Sequence, residues 1–181
     1  MANLSNFVGA LKDGGARANQ FEVQISGAPS AAQAELNSGE FRFLCQGASV
    51  PALTLGEVTV PYRGRQVFVA GDRTYDAWTV TCFNDRSYGV RSHLESWMNN
   101  MGDIGAATTA QSLNASGYYA TAIVAQKDRN DATIRSYTLD GVWPTTIDAI
   151  DLAYDTNDAI MEFGITMRFN SMVSSKGGGT P

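Results

Sequence analysis

The stretch Ala77-Trp78-Thr79-Val80-Thr81-Cys82-Phe83 alternates without a break. Trp78, Val80 and Cys82 fall on one side of an extended chain, Thr79 and Thr81 on the other, as in a strand with one face in a core and one in water. A helix would scatter the same residues, because positions two apart lie on nearly opposite sides of its axis. Outward from this segment the two-residue period recurs. Upstream, Val58 and Val60 precede Arg63-Gly64-Arg65, and Val67 and Val69 follow it, so residues 57–70 read as a hairpin with its turn at Gly64. Pro61 then belongs at an edge or a strand end, since it donates no ladder hydrogen bond. Phe41, Phe43 and Cys45 alternate ahead of Pro51, and Phe21, Val23 and Ile25 alternate with Gln20, Glu22 and Gln24. Downstream, strands are expected over 119–126, 133–142 and 159–169, with Asp128-Arg129-Asn130-Asp131 as the turn between the first two.

Two segments have a helical period instead. Leu4, Phe7, Val8 and Leu11 make one apolar stripe of a short helix that Gly14-Gly15 ends. Val90, Leu94, Trp97, Met98 and Met101 form the apolar face of a longer one, with Asp85 or Ser87 as its cap and Gly102 as its stop. Residues 27–39 and 103–117 are poor in large apolar side chains and read as loops. The fold class expected is mainly β: an antiparallel β-sandwich or β-barrel with one flanking α-helix and long loops, lacking the βαβ alternation of a parallel sheet. Residues 1–170 are expected to form one domain, with 1–14 as an N-terminal helical arm. Residues 171–181, with Gly177-Gly178-Gly179, are expected to be a flexible Gly-rich tail.

The chain has 181 residues, 13 basic and 18 acidic side chains, one His and two Cys, for a net charge of −5. Such a balance disfavours tight binding to nucleic-acid phosphates. Two Cys exclude a four-cysteine zinc site within one chain, and both are expected to be reduced, buried and structural. A signal peptide and a membrane span are both missing from the pattern, so the chain is expected to stay in the cytoplasm where it is made, without inserting into a membrane. Catalytic inventory is thin. His93 lies beside the apolar face of the second helix, without a G-x-S-x-G elbow to expose a nucleophile. The run Asp148, Asp151, Asp155, Asp158 and Glu162 starts like a calcium loop, but Ile160 and Thr166 stand where the loop needs Gly and Glu. It reads as a solvated acidic face. No phosphate-cradling glycine motif occurs, so no enzyme, cofactor or metal is expected. Arg63, Arg65 and Arg73 cluster around the hairpin, and their planar forks suit carboxylates on a neighbouring subunit.

Residues 69–81, Val-Ala-Gly-Asp-Arg-Thr-Tyr-Asp-Ala-Trp-Thr-Val-Thr, closing with Asn84-Asp85, resemble the tail tube proteins of contractile-tailed bacteriophages. Supporting matches are Gln20-Phe21-Glu22-Val23-Gln24-Ile25-Ser26 as a first strand and Phe43-Leu44-Cys45-Gln46 with Pro51 as a second. Asp140-Gly141-Val142-Trp143-Pro144-Thr145 looks like a later signature, and 157–167 like the last strand, so the resemblance spans roughly 20–169. It implies a tail-tube-like β-barrel or sandwich, related to type VI secretion tube proteins. It further implies hexameric rings stacked into a tube inside a contractile sheath, with baseplate and tail-terminator proteins as partners. Viral DNA would pass through without specific binding. The location implied is the virion tail, assembled in the host cytoplasm.

Under that resemblance, Arg63, Arg65, Asp72, Arg73 and Asp76 are candidate contacts between subunits or rings. The polar, outward positions Glu22, Gln24 and Glu162 are candidates for the channel wall, where carboxylates would repel DNA. Two other readings stay open at this point. One is the tube of a secretion or extracellular injection system that carries protein effectors. The other is a β-sandwich carbohydrate-binding module that uses exposed aromatics such as Tyr118-Tyr119.

Overall fold

A computed structural model describes residues 4–11, 15–29, 40–101, 117–155 and 158–176. Most of the expected loops 103–117 and 27–39 lies outside them, as do the stops Gly14 and Gly102. In chain order the elements are α1 (Leu4–Ala10), β1 (Phe21–Ser26), α2 (Glu40–Leu44), β2 (Cys45–Ala48), β3 (Leu53–Tyr62), β4 (Arg65–Tyr75), β5 (Trp78–Phe83), α3 (Gly89–Met101), β6 (Ala120–Lys127), β7 (Thr133–Ile147), β8 (Glu162–Arg168) and β9 (Ser171–Lys176). Every strand pair is antiparallel. Seven strands run in the order β1-β6-β7-β8-β5-β2, with β9 also on β7, while β3 and β4 form a sheet of their own.

Strand β7 organises the larger sheet. Its first part pairs with β6 and β9, and its last part, Trp143–Ile147, pairs with β8. Between them Gly141 is the extra residue of a bulge: Thr121 faces Asp140, and Ala120 faces Val142. Gly141 has φ 67°, a conformation that a side chain disfavours, and an added Cβ would lie 3.2 Å from Cβ of Asn170. The bulge bends β7 so that it serves both halves of the fold: β1, β6 and β9 on one side, β8, β5 and β2 on the other. Opposite it, Asn170 donates its backbone N–H to Asp140 O at 2.9 Å, so β8 and β9 run on as one kinked partner of β7.

The core fills the space between these halves. Val23 and Ile25 of β1, Ala122 and Val124 of β6 and Leu139 of β7 are buried on one side. Trp78, Val80 and Cys82 of β5 and Phe163, Ile165 and Met167 of β8 are buried on the other. Val90, Leu94 and Trp97 of α3 join the same cluster. Both buried indoles find acceptors, Trp78 Nε1 on Ser49 O at 2.9 Å and Trp97 Nε1 on Tyr118 O at 3.0 Å. Asp85 is the cap: its carboxylate accepts from the N–H groups of Gly89 at 3.0 Å and Ser87 at 3.1 Å.

Three expectations change. Phe41 and Phe43 lie on the helical turn α2 rather than on a strand, with Phe41 buried and Phe43 exposed. Phe41 reaches the core from this turn. Strand β7 runs on through Pro144, which is tolerated where β8 is its paired neighbour at that position. Ser171–Lys176, expected to belong to the tail, is instead β9, paired with Asp140–Arg135 of β7, because backbone hydrogen bonds need no apolar side chains; residues 177–181 lie outside the described residues.

Substituting Gly141 by Ala should lower stability by about 2 kcal/mol, since it forces a Cβ into a left-handed residue against Asn170. In thermal unfolding this should read as a melting temperature lower by roughly 4–8 °C for a domain of this size.

Candidate functional site

The most unusual surface is the β3–β4 hairpin. A two-residue turn, Arg63-Gly64, joins the strands, with φ 45° and 78°, the pair of positive values that a type I′ turn requires. Nine paired positions from Leu53–Tyr75 to Tyr62–Arg65 extend it, interrupted by one register shift between Leu55 and Glu57. At strand rise, its ten-residue arm reaches roughly 33 Å. Every residue of β3 is exposed, and in β4 all but Gly71 and Tyr75 are. Register puts Val58, Val60, Val67 and Val69 on one face. Leu53, Leu55 and Phe68 lie on the other, and all seven side chains remain roughly half or more in water. A two-stranded ribbon with apolar residues on both faces is marginal by itself in water.

The five expected contact residues all belong to this arm or its base. Arg63 sits in the turn with its guanidinium 5.4 Å from the centre of the Tyr62 ring, and Arg65 stands opposite Tyr62. Asp72 and Arg73 lie within β4, and Asp76 lies in the short link to β5. Arg63, Arg65 and Arg73 have no carboxylate of their own chain in ion-pair reach among the described residues. The tip and base are thus separate groups along one arm, not one site.

Glu22, Gln24 and Glu162 are divided between two sheet faces. Glu22 and Gln24 point outward from β1, and the register continues their face through Ile123 and Thr121 of β6, Thr138 and Asp140 of β7, and Val173 and Ser171 of β9. Ser26, Ala125, Ser136 and Ser175 complete it, with Ser136 and Ser175 hydroxyls 2.6 Å apart. Glu162 stands instead on β8, opposite Phe83, and accepts from Gln46 Nε2 at 3.0 Å. Glu22 is no bare charge either. Lys127 Nζ lies 3.0 Å from one carboxylate oxygen, Arg42 Nη1 lies 3.0 Å from the other, and Gln24 donates as well. Burial pushes this carboxyl upward, but Lys127, Gln24 and Arg42 together outweigh it and hold Glu22 below the usual glutamate range.

A second apolar surface escaped the sequence reading. Residues 149–154 and 159–162 line an open groove of about 770 Å³, with Leu152, Tyr154 and Ile160 largely in solvent. Its only sequence signal is apolar residues interleaved with the carboxylates. Asp151 and Glu162 are among its lining residues, Asp148, Asp155 and Asp158 adjoin them in sequence, and the segment 148–162 carries no Lys or Arg. No three His, Cys, Asp or Glu side chains among the described residues gather as a metal site. His93 is occupied locally, donating from Nδ1 to Gly89 O at 2.7 Å.

Residues 16–175 match the family model described as phage tail tube protein. The chain belongs to the phage tail tube protein family. The tail tube protein gp19 of Enterobacteria phage T4 is 31% identical over 153 residues, 84% of this chain and 87% of that protein. The tail tube protein of Serratia phage KSP90 is 28% identical over 178 residues, 97% and 99% of the two chains. Family members are structural components of the phage tail, which accords with the scarcity of catalytic groups here. The fold also matches a chain of the anti-feeding prophage baseplate, at TM-score 0.63 and 10% identity, over 89% of this chain and 95% of that one. A chain of an extracellular contractile injection system's sheath–tube complex matches at TM-score 0.61 and 10% identity, over 97% and 99%. The tail tube fold is therefore shared well beyond recognisable sequence similarity.

Because Glu22 has a lower pKa folded than unfolded, its ion pairs add stability above the unfolded value of about 4.3 and lose it as pH falls through the folded value. Glu22→Gln should cost at most about 1 kcal/mol at pH 7, given the partial exposure of the cluster. Urea unfolding should show that difference vanish in acid. An unchanged difference at low pH would mean that packing, not charge, is what the variant removes.

Proposed function

We propose that this tail tube protein closes into hexameric rings that stack into a hollow tube, and that the tube conducts viral DNA into the host inside a contractile sheath. The observation that carries the reading is the β3–β4 arm, whose apolar faces have no partner among the described residues. A heterologous contact made by an arm that long can close a ring or extend a filament, and either outcome takes its valines out of water. The related structures include a baseplate treated with sixfold symmetry, a sheath–tube complex and a tube-terminating cap, which supports the same partners here. The phage origin of the relatives at 28% and 31% identity favours DNA over protein as cargo.

The arm's best complement is the groove at 149–162 on a neighbouring copy. Its carboxylates would take the unpaired Arg63 and Arg65, while Leu152, Tyr154 and Ile160 would cover the arm's apolar residues. Arg63 has a left-handed backbone that costs a residue with a Cβ about 1 kcal/mol, so the fold itself would favour Asn or Gly there. An arginine at this position fits a role for the charge outside the chain. The outer face of β1-β6-β7-β9 is the proposed channel wall. It carries Ser and Thr hydroxyls between Ala125, Ile123 and Val173, its carboxylate at 22 is paired with Lys127 and Arg42, Asp140 is a second carboxylate, and it offers phosphates little to hold. Glu162, on the other sheet, lies away from that wall.

Charge reversal at both Arg63 and Arg65 should leave the subunit folded but abolish elongation, so that electron microscopy shows rings or monomers. Combining it with Lys at Asp151 and Asp155 should restore tubes. Arg63→Asn should melt no lower than the native protein, yet assemble only at reduced salt. Normal tubes from the doubly reversed protein would reject the arm's role. On the wall, Gln24→Lys with Thr138→Lys should leave tubes intact and slow DNA ejection severalfold in a virion.

A further inference from the structure

Cys45 opens β2 and stands directly opposite Cys82 of β5 in the antiparallel register. Residues opposed in this way share a face and bring their Cβ atoms to roughly 4.5–5.5 Å. A disulfide needs about 3.5–4.5 Å between Cβ atoms, so a shift of well under the width of a strand spacing joins the two sulfurs. Both thiols are free, Cys82 fully buried and Cys45 half-buried. Cys45 Sγ donates to Gly47 O at 3.7 Å. The neighbouring Cys82 sulfur lowers the Cys45 thiol against the opposing effect of burial, while Cys45 and burial push Cys82 up. Cys45 is therefore both the more accessible sulfur and the readier thiolate.

The position of the pair gives it a mechanical meaning. The chain leaves the barrel through β2, makes the whole β3–β4 arm, and re-enters through β5. The short β2–β5 ladder forms the neck of that excursion, with Cys45–Cys82 closing its end farther from the arm and Ala48–Val80 its nearer end. Strand β2 has four residues and pairs only with β5 among the described residues, so a few backbone hydrogen bonds hold the arm's first root.

We propose that Cys45 and Cys82 form a two-electron oxidation site whose product is a cross-strand disulfide stapling the neck of the arm. With a small-molecule disulfide as oxidant, the Cys45 thiolate attacks one of its sulfurs, making a mixed disulfide and releasing one thiol. The Cys82 sulfur gives up its proton and attacks the Cys45 sulfur, releasing the second thiol. The chain loses two hydrogens and two electrons, and the oxidant becomes two thiols. The bond closes a loop containing residues 46–81 and ties the arm's root to the central strand of its half of the fold. This site exists whether or not the arm meets another copy, so it stands apart from the tube reading.

The test uses the purified, reduced, full-length chain and oxidised glutathione. Both thiols should disappear together, the intact mass should fall by two hydrogens, and trypsin should release residues 43–63 linked to 74–86. The oxidised protein should melt several degrees higher than the reduced one, because the closed loop restricts the unfolded chain. Cys45→Ser, which leaves the buried Cys82 in place, should fold, yield no linked peptides and gain nothing on the same treatment. A lasting glutathione adduct at Cys45, cross-links between chains, or two thiols that survive in the folded protein would each overturn the proposal. So would an equal rise in melting temperature for the Cys45→Ser variant.

Discussion

Everything in this molecule hangs on one strand that belongs to two sheets. Strand β7 pairs with β6 and β9 before Gly141 and with β8 after Trp143, so a single backbone conformation at one residue sets how the halves face each other. The core positions of both halves, Leu139 and Val23 on one side and Trp78 and Ile165 on the other, meet because of that bend. A straight β7 would leave two flat sheets with unpaired edges and no shared interior. The Asn170 side chain laid against Gly141 shows how little room the bend has, and the kink between β8 and β9 at the same level keeps the ladder in register on the other side.

From this scaffold the surfaces inherit their roles. The arm projects from β5, the strand whose alternation of Trp78, Val80 and Cys82 anchors it most firmly in the core. The hydroxyl-lined face is simply the outside of the sheet whose inside holds Val23, Ala122 and Leu139. An assembly subunit built in this way keeps its own stability apart from its contacts. The exposed residues of the arm and of the hydroxyl-lined face stand apart from the buried core cluster.

The period-2 runs made much of the fold readable: β1, β5, β6 and the hairpin all follow a pattern that local sequence states openly. The turn at Arg63-Gly64 and the apolar face of α3 were readable for the same reason. What escaped depends on partners far along the chain. Strand β9 carries Ser-Met-Val-Ser-Ser-Lys, a run that looks like a tail until β7 supplies its hydrogen bonds. Pro144 looks like a stop until one sees that β8 alone flanks it there. Of the candidate site, the arginines of the arm were legible because they cluster within eleven residues, 63–73. The state of Glu22 was not, since Lys127 and Arg42 reach it across strands, and neither was the split that puts Glu162 on another sheet. The Cys45–Cys82 juxtaposition likewise exists only once β2 has found β5.

In the proposed assembly, an arm that leaves its apolar residues in water until it is covered has a kinetic consequence. The first two copies to meet must order and align two long ribbons while covering few of them, so the earliest complex is the least stable along the path. Later additions meet a surface already in place and are rewarded with full burial. Growth of that kind shows a lag and a threshold concentration, and it can be abolished or redirected by supplying a ready-made starting surface. Such a subunit can accumulate to high concentration without polymerising at random. Where the polymer starts is then decided by whatever presents the first complementary ring.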